Sequence, residues 1–186
     1  MTRPRSSQKA SSGTLYISGS TYRRVPIFRQ HKACEIFLCA LEAYRQRFEL
    51  RVFAYAVMPD HYHLLLNIPP DRRLLDFLRD FKSLVGRQIL DWIRQSERDE
   101  LLRRFALPRK GARNKDARYC VLQYNAYVKA LDSPRALRQK SAYIHMNPVR
   151  ERLAESPEAY PYSSARVYAG KGLSLVKVDR LELPYD

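Results

Sequence analysis

The sequence has few cysteines, and nothing in their spacing would bring them together. Cys34, Cys39 and Cys120 are odd in number and lack Cys-x-x-Cys spacing. Such cysteines are expected to be reduced thiols of a cytosolic protein, and zinc binding through sulfur is not expected. No apolar run approaches the ~18 residues needed to cross a bilayer, and the basic N-terminus lacks the apolar core of a secretory signal. These absences predict a cytoplasmic protein without a membrane partner.

Acidic residues are also scarce, above all at the start of the chain. The 186 residues include 34 Lys and Arg against 19 Asp and Glu, a formal net charge of +15, and no acidic residue precedes Glu35. An excess of this size on a small globular chain points to a polyanionic partner, most often nucleic acid. The charge, and the lack of any Gly-rich or acidic pocket signature, argue against a metalloenzyme that acts on a small molecule.

The length predicts one domain with appendages. Residues 1–13 are polar, basic and rich in Ser, and are expected to form a flexible arm. Residues 14–150 are expected to form the domain, because 45% of the chain is hydrophobic and this is enough for a core. Residues 151–186 are expected to form an extension that packs on the domain. The chain contains no internal repeat.

The apolar pattern predicts the element order β-α-β-β-α-β-α. Alternating and β-prone runs predict strands at 15–19, 50–57, 61–68 and 119–128, and helical spacing predicts helices over 31–48 and 74–94. The first six elements match the split βαβ pattern of ferredoxin-like folds. The expected fold is α+β, a four-stranded antiparallel sheet with helices on one face and a C-terminal helix added.

The last helix is expected to begin near Asp132 or Ser133. It is expected to run through Leu137, Ala142, Tyr143 and Met146. It should end near Asn147, because the residue before Pro148 is pushed out of the α region. The tail that follows could add a last strand.

His61 and His63 open the third strand, which continues as Leu-Leu-Leu. Because strand side chains alternate, both imidazoles point from the same face of a strand that should be central, with one buried side. Two neutral imidazoles on a rigid strand make part of a metal site, although such a pair also occurs as two satisfied polar residues. A complete site needs a third ligand from elsewhere in the chain.

Tyr143 and Asn147 are four residues apart and therefore share one helix face. If this helix lies beside the histidine strand, the Asn147 amide oxygen becomes the third ligand and Tyr143 lies one turn away. Such a ligand set suits Mg²⁺ or Mn²⁺, and a tyrosine aimed at a metal-bound phosphodiester can attack it. Tyr143 could equally be a packing residue, as most of the thirteen tyrosines must be. His145 lies roughly 200° around the helix from Tyr143, so it is read as structural or DNA-facing.

Basic residues in three places are candidate DNA contacts. Two lie in the loop after the first strand, one lies on the long helix, and five lie in a loop before the fourth strand that is too polar to build a core. They are Arg23, Arg24, Lys82, Arg109, Lys110, Arg113, Lys115 and Arg118.

Two motifs, in this order and spacing, resemble one family. MPDHYHLLL at 58–66 is similar to the HUH motif of the IS200-like, single-tyrosine (Y1) transposases, and YIHMNPVR at 143–150 is similar to their tyrosine helix, in the Tyr-Ile-x-x-Asn-Pro form of the REP-associated tyrosine transposases. The resemblance covers most of residues 14–168, including LYISG at 15–19, DFKS at 80–83 and PYSSA at 161–165. It departs at 115–123, where KDARYCVLQ stands in place of the usual Trp-Gln pair.

The resemblance implies a metal-dependent endonuclease and strand transferase that acts on single-stranded DNA at short hairpins. By this carry-over His61, His63 and Asn147 bind Mg²⁺ or Mn²⁺, and Tyr143 is the nucleophile. The implied protein is a monomer or homodimer, cytoplasmic and associated with the nucleoid. The alternative is a catalytically silent, domesticated protein that binds hairpin or repeat DNA.

Overall fold

The computed structural model describes residues 13–107 and 119–181. Four antiparallel strands form one sheet in the order β2-β3-β1-β4. Their bounds are β1 (Gly13–Thr21), β2 (Arg51–Met58), β3 (His61–Ile68) and β4 (Leu122–Ala130). This is the strand order of a ferredoxin-like sheet, so the prediction from the apolar pattern is confirmed.

Helices cover both faces of the sheet. Helices α1 (His31–Arg47) and α2 (Leu74–Gln95) lie on one face, and α4 (Pro134–Arg150) lies against β2 and β3 on the other. Two short helices, α3 (Asp99–Arg103) and α5 (Ala165–Tyr168), were not predicted. In the part of the chain that the structure describes, no helix is long and apolar enough to cross a membrane.

Strand β3 is central, and it is buried on both sides. Its Tyr62, Leu64 and Leu66 pack with α1 and α2, whereas Leu65 packs with Ile144 of α4 on the opposite face. The expectation of a single buried side was therefore wrong. The reason is that α4 closes the second face, which leaves the two histidines in an enclosed position.

Helix α4 does not stop near Asn147 as predicted; it continues through Pro148 to Arg150. A proline inside a helix removes one backbone hydrogen bond and strains the preceding turn. Here the proline is two residues from the end, so the lost hydrogen bond is the one to the carbonyl of Ile144 and the helix continues for only two more residues. Asn147 and Pro148 are both buried, and this packing outweighs the local preference.

The buried face of α4 is centred on Ile144. Ala142 and Met146 are exposed, and Ile144 is buried at the centre of the contact with the sheet. The start of the helix was read correctly, because Ser133 caps it by accepting a hydrogen bond from the backbone N–H of Ala136 at 3.2 Å.

The chain after α4 folds back along the outer edge of β2. The backbone N–H of Val57 donates to Tyr162 O at 2.9 Å, and that of Ser164 donates to Tyr55 O at 3.0 Å. This segment, residues 162–164, covers what would otherwise be an open strand edge. The described residues after Ala169 form no strand, so the tail does not extend the sheet as had been considered.

Strands β1 and β3 approach closely where Gly19 pairs with Tyr62. A Cβ atom on residue 19 would lie 2.7 Å from Cε1 of Tyr62, which is fully buried and packs against Phe37 with ring centroids 4.8 Å apart. We expect Gly19→Ala to lower the free energy of unfolding by about 1–3 kcal/mol, because the core cannot make room for the methyl group. Urea denaturation measures this change.

The matched control is Gly86→Ala in α2. A Cβ atom there would lie 3.9 Å from Cβ of Val121, which is an ordinary contact, and alanine favours a helix by about 1 kcal/mol over glycine. The control should be at least as stable as the wild type. A Gly19→Ala protein with wild-type stability would contradict the close packing described.

Candidate active site

The β2–β3 turn and the start of β3 position two imidazoles on the face that α4 covers. His61 and His63 are two residues apart on β3, and they are 7% and 4% exposed. Their ring centroids lie 5.0 Å apart. The strand alternation therefore places both rings together in a nearly closed space between the sheet and α4.

Each imidazole is held through its Nδ1 atom. His61 Nδ1 lies 2.7 Å from Asp60 Oδ1, and the other carboxylate oxygen of Asp60 forms an ion pair with Arg24 Nε at 3.1 Å. His63 Nδ1 lies 2.9 Å from the hydroxyl of Tyr16. With the proton on Nδ1, each imidazole donates to its oxygen partner and leaves the Nε2 lone pair available, the arrangement found at metal-binding histidines.

The Nε2 atom of His63 is buried and has no hydrogen-bond partner among the described residues. Burial, followed by the nearby His61 and the charges of Lys140 and Arg24, lowers the pKa of His63 to about 3. The ring is therefore neutral at pH 7, the form that binds a metal. A buried polar nitrogen without a partner is uncommon, and a role as a ligand would account for it.

Helix α4 and the residue that follows it carry three side chains at four-residue intervals on the side that meets the histidines. The ring of Tyr143 lies edge-on to His63, with centroids 5.7 Å apart. Two turns later, Glu151 Oε1 lies 3.5 Å from His61 Nε2. Asn147 lies between them in sequence and is 6% exposed. Because residues four apart share a helix face, Asn147 belongs to the face that meets both imidazoles.

The donor set fits a hard divalent cation. Among residues 13–107 and 119–181, no three His, Cys, Asp or Glu side chains form a group that could hold a metal ion. A site at His61 and His63 would thus need a ligand of another type, and Asn147 offers an amide oxygen. Two imidazoles with an amide oxygen and water suit Mg²⁺ or Mn²⁺. The cofactor remains a prediction, and the residues present fit it.

Tyr16 and Lys140 complete the surroundings of Tyr143. The Tyr16 ring stacks on His63 with centroids 5.8 Å apart, and it lies edge-on to Tyr143 at 6.3 Å. Lys140 Nζ lies 4.3 Å from the Tyr16 ring centroid and 4.7 Å from that of Tyr143. Burial and then the charge of Tyr143 raise the pKa of Tyr16 to about 12, so its hydroxyl stays neutral. Lys140 places a cation beside the Tyr143 ring, which suits the negative charge of a phosphodiester.

The predicted DNA-contacting residues have different partners in the structure. Arg24 is paired with Asp60 at the candidate site, and Arg23 lies over the Tyr22 ring at 5.1 Å. Lys82 donates to the backbone oxygens of Gln123 and Tyr124 on β4 at 3.2 and 2.9 Å. The other five, Arg109, Lys110, Arg113, Lys115 and Arg118, lie outside the described residues.

His145 holds α4 to the chain that follows it. Its Nε2 lies 2.8 Å from Ser164 Oγ, and its ring lies against Tyr168 with centroids 5.0 Å apart. Burial lowers the pKa of His145 to about 4, so it is neutral at pH 7. Of the two predicted readings, structural or DNA-facing, the structure supports the structural one.

Sequence reasoning missed Tyr16, Lys140 and Glu151. Glu151 continues the four-residue spacing of Tyr143 and Asn147, and the signal was hidden because the helix was expected to end at Asn147. Tyr16 could have been found from the strand alternation and the pairing of β1 with β3, since Ser18 pairs with His63. Lys140 carries no signal in the sequence beyond its place one turn before Tyr143.

Comparison with known proteins finds a similarity to transposases. A family model described as "Transposase IS200 like" matches residues 17–105. The resemblance read from the sequence is thereby confirmed over residues 17–105, which are similar to an IS200-like transposase and contain His61 and His63. The helix with Tyr143 lies beyond the matched residues. No curated protein matches the chain.

Among solved structures, the chain is similar to a REP-associated tyrosine transposase bound to a REP hairpin, with 16% identity and a TM-score of 0.61. The match covers 100% of this chain and 98% of that one, and at this identity it shows a shared fold. A second structure, a transposase candidate from Deinococcus radiodurans R1, has 17% identity and a TM-score of 0.48 over 77% of this chain and 95% of that one.

Tyr16→Phe tests whether the Tyr16 hydroxyl orients His63. The change removes one oxygen and keeps the ring that packs on His63 and Tyr143. We expect Mn²⁺ affinity, measured by calorimetry, to fall ten- to a hundredfold, as is typical when the partner of a ligating imidazole is lost. Tyr127→Phe is the control, because Tyr127 contacts Tyr16 by its ring alone. Equal Mn²⁺ affinity in all three proteins would contradict this role.

Proposed function

We propose that this protein is a divalent-metal-dependent endonuclease and strand transferase for single-stranded DNA, with Tyr143 as its nucleophile. The observation that carries the proposal is the ring contact between Tyr143 and His63. The buried Nε2 atom of His63 has no hydrogen-bond partner in the described part of the chain. A nucleophile beside a candidate metal ligand is what phosphodiester cleavage requires. A bound Mg²⁺ or Mn²⁺ at His61, His63 and Asn147 would polarise the phosphate and orient it.

The chemical step follows from the tyrosine hydroxyl. Tyr143 Oη attacks the phosphorus, a phosphotyrosine bond to the 5′ end forms, and the bond from phosphorus to the 3′ oxygen breaks. The hydroxyl gives up its proton and the released 3′ oxygen gains one, so the reaction balances without ATP. The reverse attack by a 3′ hydroxyl rejoins a strand, because the phosphotyrosine bond retains the energy of the original linkage. Lys140 and Arg150, which lies 5.4 Å from the Tyr143 ring, place positive charge where the phosphate would sit.

Hairpin DNA is the substrate that we propose, in the manner of the REP-associated branch. The solved transposase of the same fold is bound to a REP hairpin, and the net charge of +15 favours a polyanion. The proposed substrate implies work in the cytoplasm, at the nucleoid. A monomer and a homodimer are both compatible with a tyrosine that lies beside the histidines of its own chain.

Tyr143→Phe is the decisive variant, because it removes one oxygen and almost nothing from the packing. We expect the loss of strand cleavage and of the covalent protein–DNA adduct, while hairpin binding stays near that of the wild type. The measurement is cleavage of a single-stranded hairpin oligonucleotide with Mn²⁺, followed by mapping of the modified peptide. Tyr127→Phe, on the neighbouring strand, is the control and should keep both activities.

Two results would end this assignment: an adduct that maps to another residue, or a Tyr143→Phe protein that still forms it. If wild-type protein binds the hairpin and never cuts it, the alternative of a catalytically silent DNA-binding protein is supported. That alternative needs the basic residues and makes no use of the unpaired imidazole nitrogen.

The basic loop at 109–118 is expected to contact phosphates. Arg109, Lys110, Arg113, Lys115 and Arg118 lie there in a sequence with few apolar residues. Replacing a contacting residue by alanine should reduce the slope of log affinity against log salt by about one unit, since each phosphate contact releases a bound counterion. Fluorescence anisotropy with a labelled hairpin across a salt series measures it. An unchanged slope after all five replacements would show that the loop is only a connector.

A further inference from the structure

A cavity that neither His61 nor His63 lines lies in a groove between α2 and β4. Its volume is about 960 Å³, and it opens along the outer edge of the sheet. The groove walls are mainly apolar side chains from the two elements and from the residue before β4. They include Leu74, Leu75, Leu78, Leu90, Val121 and Leu122.

Two features of the groove are not explained by packing. Tyr124 lines it and is 91% exposed, and Leu75 is 55% exposed. Gly86 lies in the middle of α2 on the groove, where a glycine costs about 1 kcal/mol relative to alanine. A Cβ atom would fit there, so close packing does not require the glycine. Large apolar side chains left open beside a bare stretch of helix point to an occupant.

The rim of the groove carries positive charge. Arg73 and Arg87 are exposed, and no carboxylate lies within ion-pair distance of either in the described parts of the chain. Arg79 pairs with Asp76 and Asp80 at 3.2 and 2.7 Å. The groove lining has more cations than carboxylates, because Asp76 is accompanied by Arg73, Arg79, Lys82 and Arg87. The net field at the groove therefore favours an anion with apolar parts.

We propose that this groove binds a segment of single-stranded DNA, with a base stacked on Tyr124 and phosphates paired with Arg73 and Arg87. An exposed aromatic ring beside a positively charged groove is the usual means of binding unpaired nucleotides. A duplex keeps its bases stacked inside and would leave the apolar walls uncovered. The inference rests on the proposed function only in taking DNA as the substrate.

The groove and the candidate active site are connected by residues of β4, around the outer edge of that strand. β4 is the outermost strand of the sheet, and no backbone of the described residues pairs with its outer edge. Tyr124 and Tyr127 are three residues apart on it, a span of about 10 Å. Tyr127 is half exposed, and its ring lies 6.0 Å from that of Tyr16. DNA that leaves the groove over β4 thus meets an aromatic path to Tyr143.

The test measures binding of fluorescein-labelled (dT)15 to the full chain by anisotropy, in EDTA so that metal and cleavage play no part. Tyr124→Ser should weaken binding by about tenfold, as expected for the loss of one base–aromatic stack. Arg87→Gln should weaken it and lower its salt dependence. Two controls remove similar groups elsewhere and should leave binding unchanged: Leu173→Ser, at a side chain that is 100% exposed, and Lys177→Gln, at an exposed cation.

A photocrosslink locates the contact. An oligonucleotide of the same length with 5-iodouracil should crosslink to Tyr124, and peptide mapping identifies the site. Wild-type affinity in both groove variants, or crosslinks that avoid the groove, would overturn the proposal. So would sedimentation showing that Tyr124→Ser breaks a dimer while (dT)15 affinity is unchanged, because the occupant would then be a second copy of the chain.

The two proposals fail separately. If the wild type forms the Tyr143 adduct and the groove variants bind (dT)15 normally, the groove proposal falls and the nuclease stands. If the groove variants lose affinity and no adduct ever forms, the nuclease falls. The groove would then be the DNA-binding surface of a protein without cleavage activity.

Discussion

The register between β1 and β3 is the constraint on which the candidate site depends. β3 is buried on both faces, so its register decides which side chains face α1 and α2 and which face α4. A slip of one residue would move His61 and His63 under α1 and α2 and would bring Tyr62 towards α4. Tyr62 prevents this slip because its ring fills the space above Gly19. One glycine thus fixes the side of the sheet on which the imidazoles lie.

A second requirement is that the position of α4 along the sheet be fixed. Ser164 fixes this position because its side chain contacts both elements. Its Oγ lies 2.8 Å from His145 Nε2 of α4, and it accepts a hydrogen bond from the backbone N–H of Tyr55 in β2 at 2.9 Å. The helix with Tyr143 and the hairpin with the histidines are therefore connected through a residue that follows both in sequence. The candidate site is an assembly of three separate parts of the chain.

The sheet and the helix starts could be predicted because local patterns determine them. The β-prone run at 61–68 located β3 to the residue, and the expected cap at Asp132 or Ser133 located the start of α4. The end of α4 could not be predicted, because burial of Asn147 and Pro148 is a tertiary effect that a rule about the residue before proline does not contain. That error also concealed Glu151. The Tyr16 contact depends on which strands are neighbours, and the groove depends on the separation of α2 and β4. Local sequence patterns determine neither of these.

The covering of β2 by residues 162–164 has a consequence for the solubility of shortened proteins. The two outer strands of the sheet differ: β2 pairs its outer backbone groups at Tyr55 and Val57 with residues 162–164, whereas no backbone in the described parts of the chain pairs with the outer edge of β4. A protein ending at residue 150 would keep all four strands and the whole of α4, yet it would expose the outer edge of β2, an apolar strand that could pair with that of a neighbour. Self-association of such a truncated chain would start at β2, one strand away from the histidines, and would resemble a loss of activity in any assay that did not also measure particle size.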